Sequence, residues 1–238
     1  MKTCTPKTTL ATLLAFGLAV SYTFGQKQPL EDPDPQRFAR QIETFAADDE
    51  ASPPKEGVTV FVGSSSIRLW DLQKSFGAIA AINRGFGGSQ ISDVCHFADK
   101  VVLKYKPKKV VFFCGGNDIA YGKTPERVHR DFQRFTTLLF KALPETRLVV
   151  LAIKPAPRRI QFIDNVRKAN DLIRGDARKD ERIVLLDGAF DLLVDDEGRI
   201  REELYIADRI HLNAEGYRLW THLLMPYVKE SVKDKATQ

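Results

Sequence analysis

The stretch VTVFVGSSSIRLW, residues 58–70, decides how this chain is read. Its first five residues are apolar or β-branched with no alternating polar positions, which suits a strand buried on both faces of a parallel sheet. Gly63 and three serines then break the run. Ile67 and Trp70 follow at helical spacing, so the stretch predicts a strand, a tight polar corner and a helix. Of the three serines, Ser66 suits a helix N-cap and Ser64 can close the turn. Whether Ser65 between them is a further turn residue or a nucleophile held at the tip of the strand, the stretch alone leaves open.

Similar runs recur along the chain. AIAAI (78–82), VVFF (110–113), LVVLAI (148–153) and RIVLLD (182–187) are strand-length and bounded by Gly, Asn, Pro or charge. Helical spacing lies between them: Ile91, Val94, Cys95, Ala98, Val101 and Val102; then Val128, Phe132, Phe135, Leu138 and Leu139 after the cap-and-proline pair Thr124-Pro125; then Val166, Ala169, Asn170 and Ile173. A last helix starts after Asn213 and turns Tyr217, Trp220, Leu223 and Leu224 inward. Strand and helix alternating five times predict a three-layer α/β/α sandwich on a mainly parallel five-stranded sheet, one domain over 58–230.

The beginning of the chain has a different character. Residues 1–25 carry Lys2 and Lys7, the apolar run Leu10 to Val20, and then small or polar residues, the pattern of a secretory signal peptide. The apolar run is shorter than the roughly 20 residues that span a bilayer. An exported protein, free of stable membrane insertion once the leader is cleaved, is therefore expected. Residues 26–57 read as an N-terminal extension with a helix over 36–47.

Loss of Lys2 and Lys7 lowers the formal charge from +5 to +3, a mild excess. The densest basic cluster, KYKPKK (104–109), precedes a strand, whereas ligands of open parallel sheets gather at the opposite, carboxyl ends. It reads as a solvated turn, and nucleic acid is not an expected partner. A disulfide is permitted in an exported protein, but Cys95 falls on the apolar face of a helix pattern and Cys114 ends a buried strand, so two free buried thiols are expected. No His, Cys or carboxylate set has metal-ligand spacing: Gly122-Lys123-Thr124 lacks the upstream glycine of a P-loop, and DDEGR (195–199) lacks an EF-hand ligand series. No cofactor is expected.

In a parallel sheet the residues after each strand share one rim. They are Gly63 to Ser66, Asn83 to Gly88 and Gly115 to Asp118, with Asp208 and His211 just ahead of the last helix. A serine hydroxyl needs a base to remove its proton, an imidazole can serve, and a carboxylate fixes that imidazole's tautomer. Glycine loops and the Asn117 amide offer donors to a developing oxyanion. Of the four histidines, His96, His129 and His222 fall in helical patterns and only His211 in a non-periodic segment. Asp187, after the fifth strand, rivals Asp208 as its partner, and Asp118 is expected to brace the loop of Asn117. Arg68, Trp70 and the segment IKPAPRR (153–159) are candidate cleft walls.

These blocks resemble the SGNH or GDSL-type hydrolases. FVGSSSIRLW is similar to the family's first block and aligns Ser65 with its nucleophile; NRGFGGSQ resembles the second and aligns Gly88 with its oxyanion glycine. GGND resembles the third, with Asn117 as oxyanion amide, and DRIH matches the last, with Asp208 and His211. The blocks stand in family order from 61 to 217. The resemblance implies a flavodoxin-like fold and metal-free ester hydrolysis by a Ser65-His211-Asp208 triad. It also implies an oxyanion hole from the Ser65 and Gly88 N–H groups and the Asn117 amide. Platelet-activating-factor acetylhydrolase subunits and lysophospholipase- or acetylesterase-like enzymes are the most similar branch, which points to acetyl or short-chain esters of carbohydrates or lipids. Ser64 departs from the family by replacing its usual Asp. A non-catalytic carbohydrate or anion binder on the same fold, or an acyltransferase, are the alternatives.

Overall fold

Besides Met1, the computed structural model describes residues 30–77 and 79–229, so the leader expected over 1–25 lies outside the described residues. Strands β1 (Thr59–Gly63), β2 (Ala81–Gly85), β3 (Lys109–Phe113), β4 (Arg147–Leu151) and β5 (Ile183–Leu186) form one parallel sheet in the order β2-β1-β3-β4-β5. The parallel five-stranded α/β reading holds. Ten helices were found among the described residues: α1 (Ala39–Ala51), α2 (Ser65–Arg68), α3 (Leu72–Phe76), α4 (Ile91–His96), α5 (Ala98–Val101), α6 (Gly116–Tyr121), α7 (Pro125–Ala142), α8 (Ile163–Ala177), α9 (Gly188–Asp191) and α10 (Ala214–Lys229).

Alternation along each strand feeds a core layer on either face of the sheet. Phe112 stacks on Phe135 of α7 with ring centroids 4.7 Å apart, while its neighbour Phe113 points the other way onto Trp220 of α10 at 5.0 Å. Helices α4, α5, α7 and α8, with α1 against α5, pack on one face; α3, α9 and α10 pack on the other. Trp70 belongs to this second layer, between Phe61, Phe76 and Trp220. Cys95 and Cys114 are both buried and unpaired, and burial pushes the Cys95 thiol up to about 12. Neither is a ready thiolate.

The second strand lies further along the chain than expected. The apolar run 78–82 suggested a strand there, with Ala78 outside the described residues, but β2 continues through Asn83, Arg84 and Gly85. A buried arginine is tolerated in this edge strand because Asp49 of α1 pairs with its guanidinium and the Tyr105 hydroxyl accepts from Nε at 2.6 Å. Asn83 in turn donates to the carbonyls of Ile67 and Trp70 at the end of α2.

Two other expectations need correction. The 104–109 cluster is only partly a solvated turn: Lys104 pairs with Asp49 at 2.5 Å, and Lys109 is buried as the first residue of β3, donating to the Val228 carbonyl at 3.3 Å. The helix expected over 36–47 is a 3-10 turn (Pro35–Phe38) followed by α1. The Thr124 cap, by contrast, is as expected, its hydroxyl accepting from the Arg127 N–H at the start of α7.

Candidate active site

The sheet order reverses direction at β1: the chain leaves β1 for β2 on one side, and β3 lies on the other. The carboxyl ends of β1 and β3 therefore bound a crevice, the usual ligand position in open α/β sheets. Ser65 follows β1 and Asn117 follows β3.

The turn at the end of β1 depends on Gly63. Its φ is 139°, and a Cβ there would lie 1.9 Å from the Phe113 carbonyl oxygen. No side chain fits between the strands where the chain turns. The Ser64 N–H donates to that same carbonyl at 3.0 Å, and Ser64, in extended conformation, is the N-cap of α2. The cap is thus Ser64, not Ser66. Helix α2 starts two residues earlier than Ser66 would allow as a cap, and Ser66 is buried within it, its carbonyl accepting from the Tyr217 hydroxyl at 2.9 Å. Ser65 is the first helical residue, and its N–H has no intrahelical acceptor.

His211 and Asp208 sit on the loop before α10. The Asp208 carboxylate folds the loop on itself, Oδ1 accepting from the backbone N–H of Ile210 at 2.8 Å and of His211 at 2.9 Å. Arg209 takes up the left-handed turn with φ 57°. Oδ2 of Asp208 is 2.5 Å from His211 Nδ1, and His211 Nε2 is 2.7 Å from Ser65 Oγ. An ionised carboxylate only accepts, so Nδ1 carries the proton and Nε2 presents its lone pair to the serine hydroxyl. Burial opposes ionisation of Asp208, but the bonds from His211 and the Ile210 N–H prevail and hold it down at about 2. The rival Asp187 instead forms a two-pronged ion pair with Arg174, at 3.1 and 2.8 Å.

Asn117 stands in the first turn of α6, after Gly115 with φ 117°. Its Nδ2 donates to the Ser89 carbonyl at 3.1 Å, and the Ser89 hydroxyl reaches the Gly63 carbonyl at 3.2 Å. The glycine loop is thereby tied to both β1 and α6. Gly88, beside Ser89, is exposed with φ 85° and open space where a Cβ would be. Asp118, expected to brace the loop of Asn117, is fully buried; it accepts from the Ile91 N–H at the start of α4 and pairs with the Lys123 ammonium at 3.1 Å, which ties α6 to α4. Burial raises its carboxyl to about 6 against the pull of Lys123.

A cavity of about 40 Å³ opens beside Ser65, lined by Phe113, Asn117, Lys154, Arg159 and Val166 among others. Two of these residues were not singled out by the sequence. Lys154 is buried, its Nζ donating to the Ile210 carbonyl and lying 5.1 Å from the Tyr205 ring centroid. Arg159 donates from Nη1 and Nη2 to the Asn117 side-chain oxygen, both at 3.1 Å. The signal for them was their place in IKPAPRR after β4; which of its side chains faced inward was not legible. Arg68 is exposed, its guanidinium lying against Gly87. Among the described residues no group of three or more His, Cys, Asp or Glu could hold a metal ion.

Residues 66–219, starting one position after Ser65, match the model of the GDSL-like lipase/acylhydrolase family. No curated protein matches the chain. Among solved structures it is similar to a GDSL-like lipase from Bacteroides thetaiotaomicron (20% identity, TM-score 0.66, 79% of this chain and 96% of the other). It is also similar to an acetyl xylan esterase (22%, TM-score 0.58, 72% and 100%) and to an acetylxylan esterase from Geobacillus stearothermophilus (12%, TM-score 0.57, 75% and 97%). At these identities the likeness is one of fold; the family match covers well over half of the chain. The chain belongs to the GDSL-like lipase/acylhydrolase family and is a carboxylic ester hydrolase.

Proposed function

We propose that this protein is an exported serine esterase that removes acetyl or other short acyl groups from carbohydrate or lipid esters. Ser65 is the nucleophile, His211 the general base and then acid, and Asp208 the group that orients His211. The observation that carries this reading is the unbroken chain from Asp208 Oδ2 through His211 to Ser65 Oγ, at 2.5 and 2.7 Å. As Oγ attacks the carbonyl carbon, its proton passes to Nε2, and Asp208 supports the imidazolium. The proton then goes to the leaving alkoxide as the ester bond breaks. Water, activated by the same imidazole, releases the acid and restores Ser65.

The negative charge on the carbonyl oxygen falls to the N–H groups of Ser65 and Gly88 and to the Asn117 amide. One amide hydrogen of Asn117 is engaged by Ser89 and the other is available. The likeness of the fold to two acetyl xylan esterases supports a short acyl group over a long chain. Export is proposed from the leader-like residues 1–25. An N-terminus beginning near Gln26 in protein recovered outside the cytoplasm would support it, and protein found only inside the cytoplasm with Met1 intact would refute it.

The test is reaction with a fluorophosphonate probe, followed by peptide mapping, beside p-nitrophenyl esters of increasing chain length. Modification at Ser65 and turnover that falls beyond short acyl groups are expected. A non-catalytic binder would stay unmodified, and an acyltransferase would divert product from free acid when an alcohol is added. Comparing acetylated xylan with lysophospholipids then separates carbohydrate from lipid substrates.

A further inference from the structure

Arg159 occupies an unusual electrostatic position. It lies half-buried at the cavity beside Ser65, on the 3-10 turn Pro157–Phe162 that follows β4. Among the described residues no carboxylate pairs with it. Burial disfavours its charge, and the charged group acting on it, Arg158, repels it. An arginine that only packed a loop would be expected to find a carboxylate or solvent. Among the described residues its hydrogen bonds go instead to one place: two to Oδ1 of Asn117 at 3.1 Å and one to the Gly116 carbonyl at 3.0 Å.

These bonds have two physical consequences. A guanidinium only donates, so the Asn117 atom it grips is the oxygen, and the amide nitrogen faces the Ser89 carbonyl and the crevice. With both lone pairs of Oδ1 engaged the amide cannot rotate. Positive charge on Oδ1 also draws electron density through the amide and makes its N–H groups stronger donors. Both effects favour a negative charge that forms at the remaining amide hydrogen.

We propose that Arg159 is a positioning residue for the oxyanion donor, holding and polarising the Asn117 amide so that its free N–H meets the charge developing on the ester carbonyl oxygen. The proposal rests on the reading of Ser65 and Asn117 given above. Arg159 acts through Asn117 and makes its contribution in the transition state.

A double-mutant cycle with p-nitrophenyl acetate tests it. Arg159→Met should lower kcat roughly 10- to 100-fold with KM within about 3-fold, the scale of a lost charge-assisted bond. Asn117→Ala should lower kcat on the order of 100- to 1000-fold. The double variant should fall no more than about 3-fold below Asn117→Ala alone, because nothing is left to position. Arg159→Lys, which keeps the charge but loses the fork, should recover part of the loss and serves as the probe if the methionine variant does not fold.

Multiplying losses in the double variant, or wild-type kcat in Arg159→Lys and Arg159→Met, would overturn the proposal. Failure of the underlying reading has a different signature: no fluorophosphonate at Ser65 of the wild type, and unchanged turnover in Asn117→Ala.

Discussion

Ser65 Oγ and His211 Nε2 stand 2.7 Å apart although 146 positions separate them in the chain. The meeting is held from both sides. Gly63 lets β1 turn against the Phe113 carbonyl and sets Ser65 at the strand tip. On the other side, Asp208 folds its own loop and presents the imidazole. Ser65→Ala and His211→Ala are each expected to lower kcat roughly a million-fold, with a double variant little worse, because the two groups act as one unit. Asp208→Asn should cost on the order of ten-thousand-fold, since an amide can hold the wrong tautomer. Single-turnover kinetics with p-nitrophenyl acetate measures all four. Near-normal turnover in Ser65→Ala would refute the assignment.

Helix α10 also reaches the segment that carries Ser65. The Tyr217 hydroxyl donates to the Ser66 carbonyl at 2.9 Å, and its ring lies 5.5 Å from that of Trp70. This bond ties the helix behind His211 to the helix that starts at Ser65. Tyr217→Phe removes the donor and keeps the ring, so it should destabilise the fold by about 1 kcal/mol. A several-fold fall in kcat should accompany the loss as α2 gains freedom. Urea unfolding and steady-state kinetics on the same preparation give both numbers, and an unchanged midpoint would show that the bond contributes nothing.

The sheet was legible because four of its five strands are continuous apolar runs with no competing signal. β2 was misplaced because its length is set by a pairing 35 residues away, Asp49 with Arg84, which makes a charged residue acceptable where periodicity reads an end. Ser65, Asn117, Asp208 and His211 were legible because each follows or precedes an element at the same rim. Arg159 and Lys154 were not. Their partners are a side-chain oxygen and a backbone carbonyl on other loops, and no spacing within the chain encodes those meetings.

Beneath Asn117 lies a second buried charge cluster. The Lys123 ammonium, fully buried, meets Asp131 at 2.7 Å, Asp32 at 2.8 Å, Asp118 at 3.1 Å and the Ser92 hydroxyl at 3.2 Å. Lys123→Met would leave the buried Asp118 without its ammonium, while Arg127 still pairs with Asp32 at 2.6 Å and with Asp131 at 3.1 Å. A destabilisation of about 3–5 kcal/mol is expected, the scale for removing one partner of a buried ion pair. It would appear as a lower urea midpoint with little change in slope. Because Asp118 ties α6, which carries Asn117, to α4, kcat should fall in the surviving folded fraction. A variant as stable as the wild type would mean that the cluster is held together by the backbone alone.

Lys154 supplies a pH-dependent contribution whose sign can be worked out. Burial, with Arg159 adding repulsion and Asp208 opposing, pulls its ammonium down to about 7, from 10.5 in an exposed lysine. Between those values the unfolded chain holds a proton that the folded protein does not. Stability therefore rises with pH across that window, and below about 7, where both states are charged, the cost of burying the ammonium is fully present. The slope is about 1.4 kcal/mol per pH unit for one group. Lys154→Met removes this group and keeps a similar apolar stem, so its stability curve should lack the rise. The wild type should gain about 2 kcal/mol on the variant between roughly pH 7.5 and 9, read from urea unfolding at both. Cysteine and tyrosine ionisations are common to both proteins and cancel in the difference. Parallel curves would mean that the Ile210 carbonyl and the Tyr205 ring keep the ammonium charged through the whole range, and Lys154 would then be a fixed cation beneath the His211 loop.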